Sequence, residues 1–247
     1  MTGKNTDFHQ NIVASEAGNM QKFTLRSGGR IIDLHTPKVM GIINLTPDSF
    51  YQSSGRHHEL PSTNQVLKEA EKHLLEGAYF LDLGGYSSRP GAEHVSEKEE
   101  AQRVLPAVKV LAKEFPEALI SVDTFRSEIA KKSVNEGAHL INDISAGQLD
   151  ERMFETMANL QVPYILMHHK GTPQTMQNLA NYNDLVPEVL SYFSEKLSHL
   201  KQLGANQLII DPGFGFAKTL EQNYEVLQKM ELFQQLDLPI LSGISRK

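Results

Sequence analysis

One pattern limits the folds open to this chain more than any other. From Val39 onward a short apolar run, a loop rich in Gly, Pro, Ser and Asp, and an amphipathic stretch long enough for a helix recur in that order. The apolar runs occupy residues 39–45 (VMGIINL), 79–85 (YFLDLGG), 119–124 (LISVDT), 139–145 (HLINDIS), 164–169 (YILMHH), 208–214 (LIIDPGF) and 239–245 (PILSGIS). Helical patterns lie between them near 62–76, 97–114, 126–136, 150–159, 183–203 and 219–235. Ser96 and Glu99 have capping-box spacing, in which a hydroxyl and a carboxylate satisfy each other's backbone N–H groups at a helix start. Apolar strands joined by helical crossovers are buried on both faces. They predict a parallel sheet, either open and doubly wound or closed as a (β/α)8 barrel.

The polar residues favour the barrel. Nearly every apolar run ends in a functional side chain: Asn44, Asp82, Asp123, Asn142 with Asp143, His168, Asp211, and Ser245 with Lys247. Strand ends converge on one pocket in a barrel, whereas an open sheet gathers its functional groups at a single switch point. The expected fold is therefore α/β, a TIM (β/α)8 barrel. Before it, residues 23–34 (FTLRSGGRIIDL) hold two strand-like runs around Ser27, Gly28 and Gly29, which predicts an N-terminal β-hairpin. Residues 1–20 are polar and aperiodic and read as a flexible extension, leaving 21–247 as the barrel domain. Seven runs are one short of eight strands, so the expectation is a barrel lacking roughly its last helix, strand and helix.

Composition removes several classes of function. Lys and Arg number 24 against 30 Asp and Glu, giving a net charge of −6 and no basic stripe, which argues against a nucleic-acid partner. With no cysteine, disulfides, thiol catalysis and Cys-type zinc sites are excluded by inventory. The N-terminus lacks the apolar core of a secretory signal, and no apolar run approaches the roughly 20 residues that span a bilayer. The expectation is a cytoplasmic enzyme or binding protein with no membrane partner.

Taken singly, the loops are only suggestive. Residues 46–50 (TPDSF) fit a Pro-initiated β-turn as well as a binding loop. Residues 84–91 (GGYSSRPG) combine glycines, hydroxyls and one guanidinium, a composition suited to a phosphate or carboxylate, though a solvated surface Arg explains it too. Asp123, Asn142 and Asp211 say more, because short apolar strands leave such groups buried, where they need partners that a polar ligand can supply. Residues 211–219 (DPGFGFAKT) are not a Walker A loop, since Ala217 rather than Gly precedes Lys218. His168 and His169 are adjacent, so on a strand they point to opposite faces and cannot share a metal; a structural His is the favoured reading.

Together, residues 40–50 (MGIINLTPDSF), 81–93 (LDLGGYSSRPGAE), 121–126 (SVDTFR), 141–145 (INDIS), 166–177 (LMHHKGTPQTMQ), 211–218 (DPGFGFAK) and 242–247 (SGISRK) closely resemble the dihydropteroate synthases, the folate-pathway branch of the pterin-binding barrels. The resemblance implies condensation of 6-hydroxymethyl-7,8-dihydropterin pyrophosphate with 4-aminobenzoate, giving 7,8-dihydropteroate and pyrophosphate. It gives Asp211 the role of accepting two hydrogen bonds from the pterin edge and Asn142 that of reading the neighbouring ring nitrogen and amino group. Asp123 would accept from the dihydropterin ring N–H and steady the cation, Lys247 would donate to the carbonyl side, and Met167 would pack on the ring. Asn44 resembles a ligand of Mg²⁺ bound to pyrophosphate. Ser88 and Arg89 resemble groups near pyrophosphate and aminobenzoate, and Phe50 and Phe216 resemble aromatic contacts. The first two loops would close over the site, the full-length protein would be a homodimer, and sulfonamides would target it.

Many members carry Asp and Gly where this chain continues Tyr51, Gln52, Ser53, Ser54 and Gly55. The resemblance also places an Arg, a His and a further helix start beyond Lys247. A methyltetrahydrofolate methyltransferase would share Asp123, Asn142 and Asp211, but the TPDSF and SSRPG loops favour the synthase because methyl transfer releases no pyrophosphate. A non-catalytic pterin-binding barrel is the other alternative.

Overall fold

The computed structural model describes residues 23–46, 60–86, 95–171 and 179–243. The proposed extension, Phe50, Ser88, Arg89 and Lys247 lie outside them. The chain opens with a hairpin of β1 (Thr24–Ser27) and β2 (Arg30–Asp33), paired antiparallel from Thr24↔Asp33 to Ser27↔Arg30. Its two-residue turn needs positive φ at both positions, and Gly28 and Gly29 supply it at 55° and 79°.

Six parallel strands follow: β3 (Met40–Asn44), β4 (Phe80–Gly84), β5 (Leu119–Asp123), β6 (Leu140–Asp143), β7 (Tyr164–Met167) and β8 (Leu208–Asp211). Between them run α1 (Thr63–Leu75), α2 (Glu97–Glu114), α3 (Ser127–Asn135), α4 (Met153–Leu160) and α5 (Leu185–Gln202), with α6 (Leu220–Gln228) after β8. Neighbours in the sheet follow chain order from β3 to β8, the singly wound arrangement of a (β/α)8 barrel rather than the reversed order of a doubly wound sheet. The seventh apolar run lies parallel to β8 but makes one bridge, Ile210↔Ile240, instead of a strand. Leu241 N–H donates to the Ile210 carbonyl at 2.8 Å and Ile210 N–H to the Pro239 carbonyl at 3.0 Å.

Local signals set the helix starts. Ser96 with Glu99 forms the expected capping box on α2, and Ser62 with Gln65 and Thr219 with Gln222 do the same for α1 and α6. The last helical pattern divides: α6 ends at Gln228, and residues Met230–Leu236 form a 3₁₀ segment. Asp150 stays out of α4 because its carboxylate accepts from the backbone N–H and hydroxyl of Ser127.

Two apolar layers follow from strand alternation. Ile43, Leu81, Leu83, Ile120, Val122, Ile141, Leu166 and Ile210 face the helices and pack on Val104, Val108, Leu111, Val189 and Phe193. On the opposite face, near the strand starts, Phe80, Leu119, Leu140, Ile165 and Ile209 form a second cluster with Leu25 and Ile32 of the hairpin. The hairpin thus floors the barrel, leaving the interior at the strand C-termini free for polar groups. Ile32→Ala should cost about 2–4 kcal/mol in urea unfolding, whereas Ile31→Ala, at a side chain 69% exposed, should change stability little; equal effects would show that the hairpin does not seal the floor.

Candidate active site

Because Leu81, Leu83, Ile120, Val122 and Ile141 face the helices, the intervening Asp82, Gly84, Ser121, Asp123 and Asn142 face the barrel interior. Register then sets Asn44 beside Gly84, Gly84 beside Asp123, and Asp123 beside Asn142. Farther round, Met167 pairs with Asp211. The strand ends therefore bring five of the expected residues, Asn44, Asp123, Asn142, Met167 and Asp211, to one end of the barrel.

Gly84 leaves a cradle between the side chains of its neighbours. A Cβ there would lie 3.7 Å from both Asn44 Oδ1 and Asp123 Oδ2, so two acceptor oxygens flank space that a larger side chain would fill. Below it, Asp82 accepts from Ser121 Oγ at 2.5 Å and from Asn142 Nδ2 at 3.1 Å. Burial raises Asp82 above the usual carboxylate range, and these two donors oppose the rise. Burial pushes Asp123 well above that range, and the nearby carboxylates of Asp82, Glu100 and Asp143 push the same way. Burial and these neighbouring charges thus oppose ionisation of Asp123, and a positive charge beside it would act the other way.

Asp211 is held by the loop that follows it. Gly213 N–H donates to Asp211 Oδ1 at 2.7 Å. Gly213 has φ 73°, and a Cβ there would come within 2.1 Å of the His168 carbonyl, so the turn requires glycine. Lys218, buried behind the loop, donates to His168 Nδ1 at 2.9 Å, the Gly213 carbonyl at 3.0 Å and the Phe216 carbonyl at 3.1 Å. These contacts fix half-buried Phe216 on the same loop as Asp211. Burial raises Asp211 to about 6 against the pull of Gly213 N–H and Lys218, and burial lowers Lys218 to about 7.

Two polar strand-end residues serve the fold instead. Asp143 faces outward and accepts from Tyr164 Oη at 2.6 Å and from the N–H groups of Ser145 and Gly147 at 2.7 and 2.8 Å, which fully accounts for its burial. His168 packs edge-on to Tyr192 with ring centroids 4.8 Å apart, and burial, then the charge of Lys218, keeps it neutral. That is the structural histidine expected. Sequence reasoning counted Asp82 among the polar strand ends but gave it no role, and it did not place Lys218 in the site. The signal for Asp82 was its parity with Gly84, two residues on along an apolar strand.

A cavity of about 310 Å³ lies at the other end of the barrel, lined by Met40, Phe80, Leu140, Ile165 and Ile209 among others. Its apolar walls carry none of the carboxylates described above. The polar strand-end side chains gather instead at the strand C-termini, where barrel sites are built.

Residues 40–247 match the family described as pterin binding enzyme. The chain is 43% identical over 221 residues to a dihydropteroate synthase of Escherichia coli (strain K12), covering 89% of this chain and 76% of the relative. The chain belongs to the dihydropteroate synthase family. It is 42% identical over 211 residues to a dihydropteroate synthase of Synechocystis, covering 85% of this chain and 71% of the relative. Among solved structures it resembles Yersinia pestis dihydropteroate synthase in a sulfonamide drug complex, with TM-score 0.83, 40% identity, and coverage of 91% of this chain and 80% of that one. Xanthomonas albilineans dihydropteroate synthase with 4-aminobenzoic acid is similar, with TM-score 0.80, 37% identity, and coverage of 91% and 78%. No helix among the described residues is long and apolar enough to cross a membrane.

Asp211 generates a pH test. Its folded value, about 6, lies above its ordinary 3.8, so its contribution to stability is fully present below about pH 4 and lost as pH rises through about 6. Asp211→Asn removes this loss. In urea unfolding the variant should gain on the wild type by about 2–3 kcal/mol between pH 4 and pH 8; parallel stability curves would show that Asp211 is not held in a low-dielectric pocket.

Proposed function

We propose that this chain catalyses the dihydropteroate synthase reaction, joining 6-hydroxymethyl-7,8-dihydropterin pyrophosphate to 4-aminobenzoate with release of pyrophosphate. The observation that carries this reading is the gathering of Asp123, Asn142 and Asp211 round one polar end of the barrel. A pterin edge offers an exocyclic amino group and a ring N–H side by side, which one carboxylate accepts together. Asp211 takes that edge, with its carboxylate aimed by Gly213 N–H. Asn142 reads the adjoining ring nitrogen and amino group, and Met167, buried beside Asp211 in the register, packs against the ring. Lys247 donates to the carbonyl side.

In the reaction the bond between the pterin methylene carbon and the pyrophosphate oxygen breaks, and the bonding pair leaves with pyrophosphate. The methylene cation takes the lone pair of the aminobenzoate nitrogen, which then gives up a proton. Asp123 faces the electron-poor ring. A cation there favours the ionised carboxylate that burial otherwise opposes, so stabilisation is strongest when charge develops. Phe50 and Phe216 flank aminobenzoate, while Ser88 and Arg89 approach it and pyrophosphate. Closure of the first two loops would keep water from the cation.

Asn44 fits a role as ligand to Mg²⁺. Its amide oxygen lies exposed at the site, across the Gly84 cradle from Asp123. Among the described residues no group of three or more His, Asp or Glu could hold a metal ion, so phosphate and water would have to supply most of its ligands. When bound, Mg²⁺ would neutralise charge on the leaving pyrophosphate. The same reading takes residues 21–247 as the barrel domain of a cytoplasmic, homodimeric enzyme.

The decisive assay is pyrophosphate release, expected only with both substrates and Mg²⁺; pterin uptake without release would indicate a binding protein. Asp211→Ala should weaken pterin binding in calorimetry by about tenfold or more, since a charged double hydrogen bond is lost. Unchanged affinity would remove Asp211 from the site. Asn44→Ala should leave pterin affinity intact and weaken Mg²⁺-dependent pyrophosphate binding, and a variant unaffected in both would make Asn44 structural.

A further inference from the structure

A buried carboxylate with no part in the proposed reaction, Asp82, grips Asn142. Asp82 lies on β4 with 5% exposure, two residues before the Gly84 cradle. One of its oxygens accepts from Ser121 Oγ at 2.5 Å and the other from Asn142 Nδ2 at 3.1 Å. Ser121 is fully buried on β5 and Asn142 is half-buried on β6, so the group links three adjacent strands across the barrel interior. Both donors point at Asp82, an arrangement that suits an acceptor-only carboxylate.

A carboxamide can present either end to a neighbour, and only its partners decide which. Asp82 removes the choice, because its two oxygens already accept, one from Ser121 Oγ and the other from Asn142 Nδ2, and two donors directed at one carboxyl group leave no donor facing Oδ1. With one N–H committed to Asp82, Asn142 keeps a second N–H and the carbonyl oxygen, which accepts no hydrogen bond among the described residues. That free edge is a donor beside an acceptor, in an order fixed by the buried carboxylate. It complements a ligand edge on which a ring nitrogen acceptor stands beside an amino donor. A ligand with oxygen in place of the amino group and a proton on the ring nitrogen presents the reverse order.

We propose that Asp82 is a positioning residue that fixes the orientation of the Asn142 amide through the 3.1 Å hydrogen bond and thereby makes the site select 2-amino over 2-oxo bicyclic heterocycles. This rests on the assignment of a pterin to the site. Asp82 does not touch the ligand in this account. Its effect is on which ligand fits, and a residue that merely held the strands together would alter affinity for both classes alike.

The test compares 6-hydroxymethylpterin with 6-hydroxymethyl-lumazine, which carries oxygen in place of the 2-amino group, by calorimetry at one pH in the wild type and in Asp82→Asn. The wild type should bind the pterin much more tightly. The isosteric variant carries an amide that can accept from Asn142 or donate to it, so both orientations become available. Pterin affinity should fall, lumazine affinity should rise, and their ratio should drop about tenfold or more. An unchanged ratio in a variant that melts like the wild type would overturn the role of Asp82 and leave the pterin assignment standing. A wild type that binds neither compound would instead overturn that assignment. Should Asp82→Asn fail to fold, NMR of the wild type decides: one Asn142 carboxamide proton should lie well downfield and couple across the hydrogen bond to the Asp82 carboxylate carbon, and free-amide shifts for both protons with no such coupling would contradict the proposal.

Discussion

Burial of carboxylates inside a ring of parallel strands is the constraint on which the rest of this structure depends. Asp82, Asp123 and Asp211 all lie where burial favours the neutral acid. Each is treated differently by its surroundings. Asp82 receives a hydroxyl and an amide, Asp211 receives a backbone N–H with Lys218 nearby, and Asp123 sits among other carboxylates. A site that must bind an edge of N–H donors and then face a developing positive charge benefits from acceptors held out of water before the ligand arrives.

The scaffold makes that burial tolerable by separating its layers. Apolar side chains fill the barrel floor under the hairpin and the shell between strands and helices, so the polar groups are confined to one end. The β8–α6 loop shows the same economy of position. Gly213 allows close approach to the His168 carbonyl, its N–H orients Asp211, and Lys218 ties the loop back to His168. Under the proposed reaction, the burial that suits Asp211 to a pterin edge also opposes its charge, so binding and stability pull in opposite directions at this residue.

Much of the fold was legible because its signals are local. Gly28 and Gly29 announce the hairpin, Ser96 and Glu99 announce the start of α2, and apolar runs such as LISVDT announce strands covered on both faces. The polar strand ends pointed to the pocket for the same reason. What escaped depends on partners distant in the chain. Asp82 is bound to residues 39 and 60 positions away, and Lys218 meets His168 across 50. Asn142 and Asp143 are adjacent, and only the register with β5 and the partner Tyr164 separate the pocket residue from the structural one. The division of the last helical pattern into α6 and a 3₁₀ segment had no Pro or Gly between them to signal it.

The central claim is that the strand C-termini form a receptor for the hydrogen-bonding edge of a pterin. A crystal structure with 6-hydroxymethylpterin tests it most directly. The account predicts the ring stacked near Met167 with its amino-bearing edge on the Asp211 carboxylate and its neighbouring nitrogen on Asn142. A ring bound in the apolar cavity at the hairpin end, or turned so that neither residue meets that edge, would contradict it.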